Sequence, residues 1–225
     1  MDRGRVSGPI RAVLFDLDGT LADTEPLQWR AYREVLLRYG VDVGAEEYQR
    51  YWIATAGGAE YACRTYGLEV PPTQVKAEKN ATYRAIIDAG VPARPGAVEA
   101  VTRLRATHRL AVATNSLRDE TEVVLEHVGV RDLLHALVTR EDYADAKPAP
   151  DAYLTAAEEL GCPADECLVV EDSQRGLAAG LAAGMRVVVV PSDFTRTQDF
   201  TGSTRRLASL DELTPALLRE LSREG

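Results

Sequence analysis

Ala12-Val13-Leu14-Phe15-Asp16-Leu17-Asp18-Gly19-Thr20 governs how the rest of the chain is read. Its apolar part, Ala12 to Leu17, does not alternate cleanly, which is the pattern of a strand buried on both faces of a sheet. Ligands of open parallel sheets bind at the carboxyl ends of the strands, so Asp16 and Asp18 stand where a cleft is expected. Side chains two apart share a face, and Gly19 lets the chain turn away. Carboxylates so placed can divide labour, one oxygen attacking while the other carboxyl moves a proton. The same residues also make an ordinary Asp-Gly turn. A calcium loop is excluded, because its glycine belongs at the sixth position and here follows the second Asp directly.

Similar apolar runs recur at Leu110 to Thr114, Ala136 to Thr139, Cys167 to Val170 and Val187 to Val190. Between them lie helical patterns at Ala97 to Ala106, Leu117 to Val128, Asp151 to Leu160 and Gln174 to Ala183, three of which stop at Gly129, Gly161 and Gly184. Ser116 with Asp119 offers a capping start for the second. Strands alternating with such helices predict an α/β fold, a parallel sheet covered on both faces.

One interval breaks the alternation. Leu27 to Tyr39, Ala45 to Trp52, Gly58 to Tyr66 and Thr73 to Ala89 read as helices with no strand among them, and apolar positions 27, 31, 32, 35, 36 and 39 fit the helical repeat. Nine of the chain's fourteen aromatic residues fall between Trp29 and Tyr83, which points to a separate small core. The expected organisation is therefore an α/β core domain at 1–22 and 91–225 and a helical domain inserted at 23–90.

Composition narrows the partners. The 225 residues carry a net charge of −9, which argues against nucleic acid or an anionic membrane surface. Leu177 to Met185 is the longest apolar run and falls well short of the ~20 residues of a membrane span. Met1 to Arg11 has no apolar stretch of the secretory kind. The three cysteines, Cys63, Cys162 and Cys167, form no CxxC pair, so cytoplasmic residence is expected. Neither the cysteines nor the three histidines show ligand spacing, and oligomeric state leaves no readable mark.

A second acidic pair, Glu171-Asp172, ends the run Leu168-Val169-Val170. Were the two strands neighbours, four carboxylates would converge, and their repulsion would call for a cation. An oxygen-rich site of this kind suits Mg²⁺. Asp172 alone also reads as the cap of the helix that begins near Gln174. Lys147 is one of only three lysines among 26 basic residues and lies in a loop near the acids; its ammonium can neutralise a carboxylate and hold a phosphoryl oxygen, or simply be solvated. Thr114-Asn115-Ser116 ends another strand and reads either as an anion site or as a helix cap.

Together Asp16-Leu17-Asp18-Gly19-Thr20-Leu21, Thr114-Asn115-Ser116, Lys147-Pro148-Ala149-Pro150-Asp151 and Glu171-Asp172-Ser173 with Gly176 resemble, in order, the motifs of the haloacid dehalogenase-like hydrolases with a helical cap after the first strand. The resemblance covers essentially the whole chain and implies a Rossmann-like core, Mg²⁺ as cofactor and a cap that closes over a small phosphorylated substrate. It implies Asp16 as the nucleophile that becomes an aspartyl-phosphate, and Asp18 as the acid and then the base. Thr114 and Lys147 would bind the phosphoryl group, with Asn115 and Ser116 beside it. The metal would be held by Asp16, the backbone carbonyl of Asp18 and Asp172, with Glu171 orienting a coordinated water.

The chain is also similar to the β-phosphoglucomutase type, including Asp23-Thr24 and Lys79-Asn80. Gln28 stands where that type has a histidine, and the loop Ala56-Gly57-Gly58-Ala59 lacks its arginine. Leu21 to Glu25 and the late loop Phe194-Thr195-Arg196-Thr197 resemble sugar-bisphosphate phosphatases of the xylulose-bisphosphate type. The expected activity is hydrolysis of a phosphorylated metabolite, most simply a sugar phosphate, with Glu25 and Lys79 as substrate contacts. A phosphomutase and a catalytically idle binding protein are the alternatives.

Overall fold

The computed structural model describes residues 8–53 and 58–224. Among these, six strands form one sheet in the order β3-β2-β1-β4-β5-β6, with every neighbouring pair parallel. They are β1 Ala12–Phe15, β2 Arg109–Ala113, β3 Ala136–Val138, β4 Cys167–Glu171, β5 Arg186–Val189 and β6 Arg205–Arg206. β1 takes a central place because all four of its side chains are apolar and fully buried. It stops two residues short of the apolar run: the Leu17 carbonyl accepts the N–H groups of Thr20, Leu21 and Ala22, which curls the chain out of the sheet. β6 was not expected, since Arg205-Arg206 has no apolar pattern and joins β5 through its backbone alone. The strand order reverses at β1, between β2 and β4, and this is where the carboxyl ends of a doubly wound sheet open a crevice.

Helices cover both faces. Alternation sends Ala12, Leu14, Ala113 and Val169 to the side of α7 (Asp151–Leu160) and α8 (Gln174–Ala182), where Tyr153, Ala156 and Leu177 complete a buried layer. Val13, Phe15, Leu110 and Val112 are left for the other side, where α5 (Ala97–Arg105) packs on β2 through buried Ala97, Ala100, Val101 and Leu104. α6 (Arg118–Val128) has Leu117, not Ser116, at its N-cap position and no side-chain cap; the Ser116 hydroxyl has a long-range partner instead. A further helix, α9 (Pro215–Leu221), capped by Thr214, was not anticipated.

Contacts divide the chain into two units, one ending at Asp23 and resuming at Pro92, the other Thr24–Val91. The chain leaves and re-enters the α/β unit along paired segments: Asp23 N–H donates to Pro92 O and Arg94 N–H to Leu21 O, both at 2.9 Å. The helical unit holds α1 (Glu25–Leu37), α2 (Ala45–Glu47) continued by a wide π turn at Tyr48–Ile53, α3 (Gly58–Tyr66) and α4 (Pro72–Asp88). α1 begins two residues earlier than its apolar repeat, because Pro26 sits at a position whose missing N–H costs nothing. Ala31, Val35 and Leu36 of α1 and Val75, Tyr83 and Ile87 of α4 are buried where the two helices pack. The loop residues 54–57, which include Ala56 and Gly57, lie outside the described residues. No described helix is long and apolar enough to cross a membrane.

Candidate active site

Register brings the acids together. β1 and β4 pair Ala12 with Cys167, Leu14 with Val169 and Phe15 with Val170, and Asp16 N–H continues the ladder to Val170 O at 2.9 Å. One step further, Asp16 and Glu171 stand side by side on the face that α7 covers. The Lys147 ammonium lies between them, 2.6 Å from Asp16 Oδ1 and 2.9 Å from Glu171 Oε1, and its third donor reaches the Tyr153 hydroxyl at 2.8 Å. All three of its protons therefore have acceptors. The Tyr153 hydroxyl in turn donates to Glu171 Oε1 at 2.7 Å, and its ring lies under the ammonium at 4.4 Å. Glu171 Oε2 accepts the Ser173 hydroxyl at 2.9 Å and the backbone N–H groups of Asp172 and Ser173 at 3.1 Å.

The neighbouring strand ends supply the rest. Asp18 Oδ2 accepts the hydroxyls of Ser116 at 2.7 Å and Thr114 at 3.2 Å, and Thr114 Oγ1 accepts the Ser116 N–H at 3.0 Å. Asn115 Oδ1 accepts the Lys147 backbone N–H at 3.1 Å and lies 2.7 Å from the Tyr143 hydroxyl, so it pins the loop that delivers the ammonium. Asp172 Oδ2 accepts the hydroxyls of Ser192 at 2.9 Å and Thr195 at 3.1 Å. Two glycines make this crowding possible. A Cβ on Gly19, whose φ is +84°, would meet Asp172 Oδ2 at 2.4 Å, and one on Gly176 would overlap the Glu171 carboxylate at 1.6 Å. The first lets the β1 loop approach Asp172; the second seats Glu171 against the first turn of α8.

The electrostatics follow from burial. Burial and the charge of Glu171 push the Asp16 carboxyl up to about 7, against the lowering pull of Lys147. Burial opposes the charge of Lys147 as well, but Asp16 and Glu171 outweigh it and hold the ammonium firmly protonated. Glu171 is also penalised by burial, yet Lys147, Tyr153 and Ser173 keep it below its ordinary value.

One oxygen each from Asp16, Glu171 and Asp172 lie within 4.8 Å of one another, and all three residues are buried. The set is all carboxylate and is overcharged relative to the single ammonium. Such donors fit a hard divalent cation such as Mg²⁺. Asp16, Asp18, Thr114, Asn115, Ser116, Lys147, Glu171 and Asp172 are thus joined in one network of the α/β unit. Glu25 and Lys79 belong to the helical unit, where the Tyr48 hydroxyl donates to Glu25 Oε2 at 3.4 Å and the Lys79 ammonium lies over the rings of Tyr83 at 4.6 Å and Tyr32 at 5.4 Å. The sequence reading passed over Tyr153, Ser192 and, as a partner of Asp172, Thr195. For Tyr153 a signal existed, a phenol on the buried face of an alanine-rich helix six residues after the lysine.

The model of the haloacid dehalogenase-like hydrolases matches residues 10–184. Protein CbbY of Rhodobacter capsulatus is 35% identical over 224 residues, covering 94% of this chain and 99% of that protein. Fructose-1-phosphate phosphatase YqaB of Escherichia coli is 32% identical over 183 residues, covering 79% of this chain and 95% of YqaB. The crystal structure of an Asp-to-Asn mutant of CbbY from Rhodobacter sphaeroides in complex with xylulose-(1,5)bisphosphate superposes with a TM-score of 0.79 at 34% identity, covering 93% of this chain and 99% of that one. On the match over residues 10–184 and on these relatives, the chain belongs to the haloacid dehalogenase-like hydrolase family.

Proposed function

We propose that this hydrolase is a Mg²⁺-dependent phosphatase of a small phosphorylated sugar, with the helical unit as its cap domain. One observation carries the reading: three buried carboxylates within 4.8 Å, with a fully engaged lysine 2.6 Å from Asp16. Phosphoryl transfer asks mainly for an aimed nucleophile and compensated charge, and this cluster is built for both. Asp16 attacks phosphorus and becomes an aspartyl-phosphate. The ester oxygen leaves with a proton from Asp18, which then takes one from the water that opens the acyl phosphate. The hydroxyls of Thr114 and Ser116 aim the Asp18 carboxyl, and Thr114 binds a phosphoryl oxygen by turning its one proton from Asp18 to the substrate. Lys147 spends its donors on Asp16, Glu171 and Tyr153, so its part is charge balance and the aim of the nucleophile. Asp16, Asp172 and the Asp18 carbonyl would hold Mg²⁺, with Glu171 orienting a water beside it; the ion would supply positive charge to balance the acids and the incoming phosphoryl group.

The sugar is argued from the relatives, among them a fructose-1-phosphate phosphatase and a CbbY bound to xylulose-(1,5)bisphosphate. Glu25 and Lys79 are assigned to its recognition. Cys63, Cys162 and Cys167 are all free thiols, in keeping with the cytoplasm. The test is phosphate release across sugar mono- and bisphosphates, with Mg²⁺ and with EDTA, on the wild type and Asp16→Asn. Expected are Mg²⁺-dependent release and a loss of about 10⁴-fold or more in the variant, with unchanged circular dichroism. Metal-independent turnover that survives Asp16→Asn would sink the reading. Glucose 6-phosphate formed from β-glucose 1-phosphate without free phosphate would convert it to a mutase.

A further inference from the structure

Asp172 is gripped from a loop that the four family motifs do not include. β5 leads into Val190, whose N–H donates to Glu171 O at 2.7 Å and starts the loop beside the end of β4. The chain then closes a tight turn: Thr195 and Arg196 donate their N–H groups to Ser192 O at 3.1 and 2.9 Å, and Thr195 Oγ1 accepts the Ser192 N–H at 3.0 Å. These bonds satisfy the turn's backbone without using either hydroxyl proton. The two hydroxyl oxygens lie 3.0 Å apart, within hydrogen-bond reach of each other, and both converge on one atom, Asp172 Oδ2, at 2.9 and 3.1 Å. Ser192 and Thr195 are each 3% exposed and Asp172 2%, so neither hydroxyl is solvated at the loop surface. Gly19 bounds the same oxygen from the β1 loop, where a Cβ would come within 2.4 Å.

We propose that Ser192 and Thr195 are positioning residues that set the divalent-cation affinity of the site through Asp172. The inference rests on the metal reading of the proposed function. A short carboxylate confined by a bonded pair of hydroxyls and a bare glycine is fixed in rotation before a cation arrives. Its ordering cost is then met on folding and not on binding. Partners of this kind around a ligating carboxylate are typically worth about 10–100-fold in metal affinity.

The test is direct binding of Mn²⁺, followed by electron paramagnetic resonance, with Mg²⁺ as competitor. Ser192→Ala, which leaves the Thr195 turn in place, should weaken Mn²⁺ binding about tenfold, and Thr195→Val at least as much. Thr195→Ser, which restores the hydroxyl, should bind like the wild type. A role confined to holding the loop would lower the unfolding midpoint and leave Mn²⁺ affinity of the folded protein alone. Wild-type affinity in folded Ser192→Ala therefore overturns the proposal while leaving the metal reading intact. A wild-type protein that binds neither ion overturns both.

Discussion

In the helical unit the ion pairs Arg30–Glu34, Arg33–Asp42 and Arg84–Asp88 leave their side chains 40–61% exposed, whereas in the α/β unit Lys147 is 4% exposed and its partners Asp16 and Glu171 are 10% and 1%. Charges of the first kind are solvated by water and contribute little when paired. Those of the second kind have surrendered their hydration and depend on one another. A fold in need of stability alone would fill that space with apolar side chains, since a buried ion pair seldom outdoes them. Three clustered acids, two of them on one lysine, with the Asp16 carboxyl pushed up to about 7 by burial and by Glu171, mark a place kept for chemistry.

Lys147→Met gives the contrast its hardest test. Methionine keeps most of the stem and removes the charge, so Asp16 and Glu171 lose the cation that lies 2.6 and 2.9 Å from their oxygens. Stability in EDTA should fall by about 3–5 kcal/mol at neutral pH. The deficit should also depend on pH. Without the lysine both carboxyls hold their protons more tightly in the folded than in the unfolded chain, so the unfolding free energy rises as pH falls. Urea unfolding at pH 8 and pH 5 would check this: a variant nearly as stable as the wild type at pH 8, or no better off at pH 5, breaks the comparison.

Tyr153→Phe sharpens it. The ring stays under the ammonium, and only the hydroxyl that accepts from Lys147 and donates to Glu171 is lost. A hydrogen bond to a charged partner is worth about 1.5–3 kcal/mol, and the unfolding free energy should drop by that amount. A change within error would mean that Lys147 and Glu171 reorganise easily, and that the network is less fixed than its distances imply.

Asp16 and Glu171 were legible because an apolar run followed by an acid marks a strand's carboxyl end, and strand parity then tells which acids share a face. Parity says nothing of partners brought in from afar. Ser116 could have capped α6 on local grounds, yet its hydroxyl goes to Asp18, 98 positions away in sequence. Tyr153 sat on the inward face of a readable helix, but what its hydroxyl meets depends on the loop that carries Lys147. β6 offered no signal, since two arginines at an edge are held by their backbone. In the helical unit the aromatic surplus announced a separate core, while the π turn at Tyr48–Ile53 has no periodic signature of its own.

The smallest effect belongs to the helical unit. Arg30 donates to Glu34 at 2.8 Å one turn along α1, and the two side chains are 61% and 41% exposed. Pairing at this spacing gains some Coulomb energy, spends side-chain freedom and is screened by salt. Alanine is moreover the better helix former, which offsets part of the loss. Arg30→Ala should therefore shift the unfolding free energy by no more than about 0.5 kcal/mol, and less in 1 M NaCl than in 0.05 M. A loss as large as that of Tyr153→Phe, indifferent to salt, would show that exposure is the wrong measure of what a charge does in this molecule, and the distinction between the two units would have to be drawn on other grounds.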